Sequence, residues 1–266
     1  MTGFLLLRRT GLTLIGLIAM LAAGPPALAQ AQVGIPGCAD DVPVRAMREP
    51  ITFESRGRQI RAHLYTPRGE VNGDGIVLLH GGTGFEMNSI LFDAHAIQLA
   101  SRGYRVILPA YFDAAAPDAR RRTVTARAWR QAALDAAEAL SAEPGMARGR
   151  VALWGYSRGA AVGADAATAE GSGVRSAILV AGGGVIEDDL AGRDLSVLLL
   201  HARRDEAVPV RATLRLADAL REAGASVAVR ELDFDGHQYD LATWCAVFGA
   251  TRTFLEARRE AVDGPA

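Results

Sequence analysis

The chain has 266 residues, half of them apolar, and a formal net charge of −1. That is enough apolar material for a sizeable core and too little basic excess for a nucleic-acid binder. All 29 basic residues are arginine, and the missing lysine excludes a Walker phosphate loop, which needs an ammonium at the β/γ-phosphates, and a pyridoxal enzyme, which needs an amine for its Schiff base.

Arg8 and Arg9 precede an apolar run over 11–23, followed by Gly24-Pro25-Pro26 and Ala27-Leu28-Ala29. A basic start, a short apolar stretch and small residues three apart predict an export signal, residues 1–29, cleaved after Ala29. The run is shorter than the roughly 20 residues of a membrane-spanning helix, so no membrane attachment is expected after cleavage. The paired arginines leave general and twin-arginine export both open. Removing the signal takes the net charge from −1 to −3 and predicts a periplasmic or secreted protein. Cys38 and Cys245 are the only cysteines. An oxidising compartment permits a bridge between them, provided their Cα atoms come within about 7 Å; otherwise they stay thiols.

Residues 30–48 read as an irregular leader and 49–266 as one domain, since no Pro/Gly-rich linker divides the chain. Two β-forming segments, 51–54 and 59–65, flank Ser55-Arg56-Gly57 and predict an antiparallel hairpin. Apolar runs then follow at 76–79, 104–108, 151–153, 177–180, 197–200 and 227–232, alternating with helical periodicity near 89–102, 125–142, 158–169, 210–223 and 239–259. Continuous apolar runs of that length imply strands buried on both faces, hence a mainly parallel, doubly wound α/β sheet with its ligand crevice at the carboxyl ends of the strands. Asn88 is a candidate cap for the first helix, and Gly103 and Gly224 are placed to end two others. Only about a dozen residues separate the runs ending at 181 and beginning at 195, too few for a cap domain.

Gly155-Tyr156-Ser157-Arg158-Gly159 follows the run 151–154 and precedes a helix of small residues. In that context G-x-S-x-G projects a serine oxygen from a tight strand-to-helix turn. A serine hydroxyl needs a base. Of five histidines, His63, His95 and His201 sit in predicted regular structure and read as structural, whereas His237 lies in Asp235-Gly236-His237-Gln238, after the last strand and before the last helix. Asp205, just past the preceding strand, is the expected carboxylate, with Glu206 as its neighbour in competition and Asp233 and Asp235 read as turn residues. The chain order Ser157, Asp205, His237 is that of the α/β hydrolases. Two oxyanion donors are expected: the backbone N–H of Arg158 and that of Gly82, in His80-Gly81-Gly82-Thr83-Gly84, with Gly81 or Thr83 as alternatives and His80 bracing the loop. Tyr111, Phe112 and Tyr156 are candidate substrate-pocket residues.

With these residues in place the chain resembles the dienelactone-hydrolase branch of the α/β hydrolases. The His80-Gly81-Gly82 loop, Arg102-Gly103-Tyr104-Arg105-Val106 leading to Pro109-Ala110-Tyr111-Phe112, the Ser157 turn, Asp205 before Val208-Pro209, and Gly236-His237 carry the resemblance, over about residues 50–258. It implies a compact α/β-hydrolase fold with little or no lid, acting on small esters or lactones without metal or organic cofactor. The family typically has cysteine at the position of Ser157, so what carries over is ester chemistry, not the dienelactone substrate. A peptidase or acyltransferase would use the same triad, and an exported binding protein that kept the fold without catalysis is the reading from another class. There is no H-E-x-x-H metal motif.

Overall fold

The hairpin turn at Arg56-Gly57 takes positive φ at both residues (51° and 73°), a reversal that joins β1 (Ala46–Ser55) to β2 (Arg58–Pro67) in full antiparallel register. The structure, a computed structural model, describes residues 37–115, 122–186 and 189–263. The expected export signal and the first part of the leader therefore lie outside the described residues.

Strand β2 also pairs antiparallel with β4 (Arg105–Pro109). From there the remaining strands, β3 (Gly75–Leu79), β5 (Val151–Tyr156), β6 (Ser176–Val180), β7 (Ser196–Arg204) and β8 (Ser226–Asp235), run parallel, in the order β1-β2-β4-β3-β5-β6-β7-β8. The apolar runs of β3 to β7 are buried on both faces as expected, whereas the run expected at 227–232 lies in β8, the last strand of the sheet, where only Leu232 is buried because no further strand covers the edge. In β3, Ile76 and Leu78 face one core with Phe92 and Leu99 of α1 (Phe85–Ala100) and Trp244 and Val247 of α5 (Leu241–Asp263). Val77 and Leu79 face the other core. There they meet alanines of α2 (Arg122–Ser141) and α3 (Arg158–Thr168), and Leu216 and Leu220 of α4 (Val210–Glu222). Each Val, Leu or Ile buried in this way contributes about 1.5–3 kcal/mol. Among the described residues no helix or strand stands between β6 and β7, so the carboxyl edge of the sheet carries no cap there.

Helix ends follow local chemistry. Gly103 and Gly224 sit at φ 98° and 102° just past α1 and α4, the left-handed position that favours glycine. Asp240 caps α5 by accepting a hydrogen bond from Thr243 N at 2.8 Å. Asn88 is not the cap of α1, which starts earlier, at Phe85 after Gly84. Its amide is drawn instead to the preceding loop, where it finds both donors and acceptors.

The leader also departs from expectation. Strand β1 begins at Ala46, three residues before the domain boundary placed at 49, because Ala46, Met47 and Arg48 find partners in Pro67, Thr66 and Tyr65. Upstream of it, Cys38 is bonded to Cys245 in the first turns of α5, with Cα atoms 5.4 Å apart. Val42 exchanges two hydrogen bonds with the Gln98 amide, at 2.9 and 3.0 Å. The leader is thus irregular in backbone but pinned. The bridge spans 207 residues of sequence, so in the chain-entropy account its loss costs about 3–5 kcal/mol. A Cys38→Ser, Cys245→Ser variant is expected to unfold at clearly lower denaturant than the parent, with no further shift on adding reductant; an unchanged midpoint would contradict the bridge.

Candidate active site

Three strand ends and two loops converge at the carboxyl edge of the sheet. Strand β5 ends in Tyr156, and the chain turns at once into α3 through Ser157, held at φ 56°, ψ −113°. A non-glycine residue there is strained by about 1–3 kcal/mol. The turn holds because Ser157 N donates to Val180 O at 2.8 Å and because the residues two positions to either side are glycine. A Cβ on Gly155 would lie 2.3 Å from Gly159 O, and one on Gly159 would lie 2.1 Å from Leu79 O. Neither position admits a side chain, which is the physical content of the G-x-S-x-G spacing.

Ser157 Oγ lies 2.9 Å from His237 Nε2, and His237 Nδ1 lies 2.7 Å from Asp205 Oδ2. With a carboxylate facing Nδ1, that nitrogen carries the proton, leaving Nε2 as acceptor for the serine hydroxyl. Asp205 is fully buried at its side chain, and its other oxygen accepts from Ala207 N and Val208 N at 2.9 and 2.8 Å. Glu206 is exposed, while Asp233 and Asp235 pair with Arg203 and Arg204 at the rim.

The glycine loop lies alongside. A Cβ built on Gly82 would sit 3.6 Å from Arg158 Nε, so the glycine loop packs against the side chain of the residue that follows the serine. Asn88 stitches this loop: its Oδ1 accepts from Gly81 N at 3.1 Å, and its Nδ2 donates to Gly84 O at 2.8 Å and to Thr83 Oγ1. His80 is buried; its Nδ1 donates to Gly81 O at 2.9 Å, and Tyr111 Oη donates to His80 O at 2.7 Å. His80 braces the loop, as its sequence position implied.

Two of the three aromatic pocket candidates have other work. Tyr111 is fully buried beneath the loop, stacked on His80 at 4.2 Å. Tyr156 is 4 % exposed, stacks on the His237 ring at 5.2 Å and donates to His237 O at 2.6 Å. Burial wins because each hydroxyl finds a backbone carbonyl, satisfying the one polar atom of an otherwise apolar side chain. Both phenol pKa values are pushed up by burial. Phe112 is only half-buried, stacked on Trp129 at 4.6 Å, and Arg158 lies over the same indole.

His201 was read as structural, and its contacts give that reading content. It is buried, 3.6 Å from Asp205 Oδ2, and its Nε2 donates to Val208 O at 2.8 Å. Its Nδ1 lies 2.6 Å from Thr213 Oγ1, which also bonds Gly182 O. It thereby ties the acid loop to α4 and to the turn after β6. The only hint in sequence is its place four residues before Asp205.

The buried imidazoles set the acid response of the fold. Desolvation lowers His80 to about 4 and drives His95, whose ring nitrogens have no partner, well below its ordinary value; His201 is lowered for the same reason. The unfolded chain therefore binds more protons than the folded one below pH about 6.5, so stability is complete above that pH and is lost as pH falls through about 4. His80 alone removes about 3 kcal/mol over that window. Denaturant midpoints are expected to fall steadily from pH 7 to pH 4.5, and a His95→Leu variant to flatten the slope; a flat profile in the parent would contradict neutral burial.

The dienelactone hydrolase family model matches residues 60–238, from β2 to the loop that carries His237. No curated protein sequence matches the chain. Solved structures share the fold at low identity. A dienelactone hydrolase-like promiscuous phosphotriesterase, P91, from metagenomic libraries is 19% identical, with 80% of this chain and 98% of that one covered and a TM-score of 0.66. The acylaminoacyl peptidase of Pyrococcus horikoshii is 18% identical over 80% of this chain, with a TM-score of 0.63, and a puromycin-hydrolyzing peptidase of Mycobacterium tuberculosis is 19% identical over 80%, with a TM-score of 0.57. This chain spans 42% and 38% of those two peptidase chains. Matched across both its serine turn and its histidine loop, the chain belongs to the dienelactone hydrolase family and is a hydrolase acting on ester bonds.

Proposed function

We propose that the chain is an exported serine hydrolase that cleaves small carboxylic esters or lactones through an acyl-enzyme. The observation that carries this reading is the relay Ser157 Oγ, His237, Asp205 at 2.9 and 2.7 Å, which supplies nucleophile, base and orienting carboxylate in line. Ser157 attacks the carbonyl carbon while His237 Nε2 takes its proton. The developing oxyanion is received by the backbone N–H groups of Gly82 and Arg158, the latter at the positive end of α3. The imidazolium, stabilised by Asp205, then protonates the leaving alcohol. Water enters, gives its proton to His237 and releases the acid, restoring Ser157.

Substrate size follows from what surrounds the serine. The uncapped edge between β6 and β7, half-buried Phe112 and exposed Arg158 favour short, soluble esters. Export after cleavage at Ala29, into the periplasm or medium, is supported by the signal pattern of residues 1–29 and by the Cys38–Cys245 bridge, which suits an oxidising compartment. The mature catalytic domain then begins after the leader.

A panel of nitrophenyl esters and an anilide tests the substrate reading. The expected kcat/KM for acetate and butyrate esters exceeds that for palmitate by about tenfold or more, a difference of about 1.4 kcal/mol in transition-state binding. The anilide is expected to be slower than any short ester. Preference for the anilide, or for the longest chain, would contradict it.

A further inference from the structure

The amino edge of the sheet, where β3, β5 and β6 begin, carries a second concavity. It is a pocket of 90 Å³ closed on one side by the last turns of α5. Five arginines line it, Arg148, Arg150, Arg175, Arg258 and Arg259, against a single acid, Asp74. Two of the five are neutralised. Arg150 bonds Asp74 at 2.5 Å and Asp263 at 2.6 Å, and Arg258 bonds Asp194 at 3.0 Å through its Nη2. Arg148, Arg175 and Arg259 form no ion pair among the described residues, and the Nε of Arg258 is buried without a hydrogen-bond partner.

Guanidinium groups gathered in a recess repel one another more than they would in open solvent, because the protein wall displaces screening water and ions. The fold nevertheless brings them together from three elements: the turn before β5, the start of β6 and the end of α5. Arginine forks match the oxygens of a tetrahedral anion. The pocket has room for about three waters' worth of volume, which suits one phosphoryl group, with the rest of any larger ligand left outside its mouth. Strand β5 runs its whole length between this pocket and Ser157, roughly 17–20 Å at the usual rise, so an anion here cannot take part in the serine chemistry.

We propose that this pocket binds a phosphoryl-class oxyanion at the edge of the fold opposite the catalytic one. Such a group comes either free in solution or as the headgroup of a lipid. In the second case the protein rests on the surface by its amino edge, with the serine facing outward to soluble substrate.

The test uses the mature chain, with sodium phosphate replacing sodium chloride at constant ionic strength in thermal unfolding, and pyrophosphate in calorimetric titration. The variants are Arg148→Ala with Arg175→Ala, both exposed residues outside the catalytic machinery, and Arg175→Gln alone in case the pair fails to fold. Phosphate is expected to raise the melting temperature of the parent beyond the general salt effect that remains in the variants. Pyrophosphate affinity is expected to drop about tenfold or more in the double variant, with ester hydrolysis unchanged. Sedimentation with phosphatidylglycerol and phosphatidylcholine vesicles separates the sources. Binding to the first alone, lost in the variant, assigns a headgroup; a phosphate response without vesicle binding assigns the free anion; either supports the site. Equal responses of parent and variants in both arms overturn it.

Discussion

Ser157→Ala is expected to lower kcat for a short ester by about 10⁶, the scale seen when a triad nucleophile is removed. The fold is expected to survive, because the turn rests on the Ser157 N to Val180 O bond and on Gly155 and Gly159, none of which alanine touches. Ser157→Gly sharpens the comparison. It loses the same activity, but glycine at φ 56° relieves backbone strain, so that variant is expected to be more stable than the parent by about 1 kcal/mol. Catalytic loss with a gain in stability is the signature of a residue held in a strained conformation for chemistry. A measured kcat within tenfold of the parent for both variants would remove Ser157 as nucleophile.

Asp205→Asn is the second large effect, expected at about 10⁴ in kcat. The substitution keeps volume and lets the amide oxygen accept from Ala207 and Val208, as the carboxylate does now. What changes is the face toward His237. A carboxylate forces the proton onto Nδ1; an amide NH₂ turned to Nδ1 forces it onto Nε2, which then points a donor at Ser157 and cannot take its proton. KM should move far less than kcat, since Asp205 is buried at its side chain behind His237. A loss under tenfold, or one confined to KM, would mean that Asp205 is only a loop-turn residue. His201, 3.6 Å from the same carboxylate, keeps the loop in place in either case.

The parts legible in sequence were those where one residue type answers one local requirement. Continuous apolar runs such as 76–79 had to be strands buried on both faces, and β3 does divide its side chains between two cores. Glycines 155 and 159 follow from a turn with no space for Cβ, and Gly103 and Gly224 from left-handed helix ends. The meeting of Ser157, Asp205 and His237 was legible because each sits just beyond a strand and parallel strands deliver their carboxyl ends to one edge. What escaped was decided by tertiary contacts. Asn88 has the composition of a cap, yet its amide is satisfied by Gly81, Thr83 and Gly84. Tyr111 and Tyr156 have the chemistry of pocket residues, yet carbonyls of His80 and His237 hold their hydroxyls inside. The leader lacks periodicity and still packs, because Cys245 and Gln98, distant in sequence, anchor it.

Covalent capture reaches the central claim most directly. The mature protein treated with a fluorophosphonate is expected to gain one adduct, mapped by peptide mass spectrometry to Ser157, with labelling strongly slowed in a His237→Ala variant. A fully folded protein that takes up no label, or takes it up at another serine, would contradict the account.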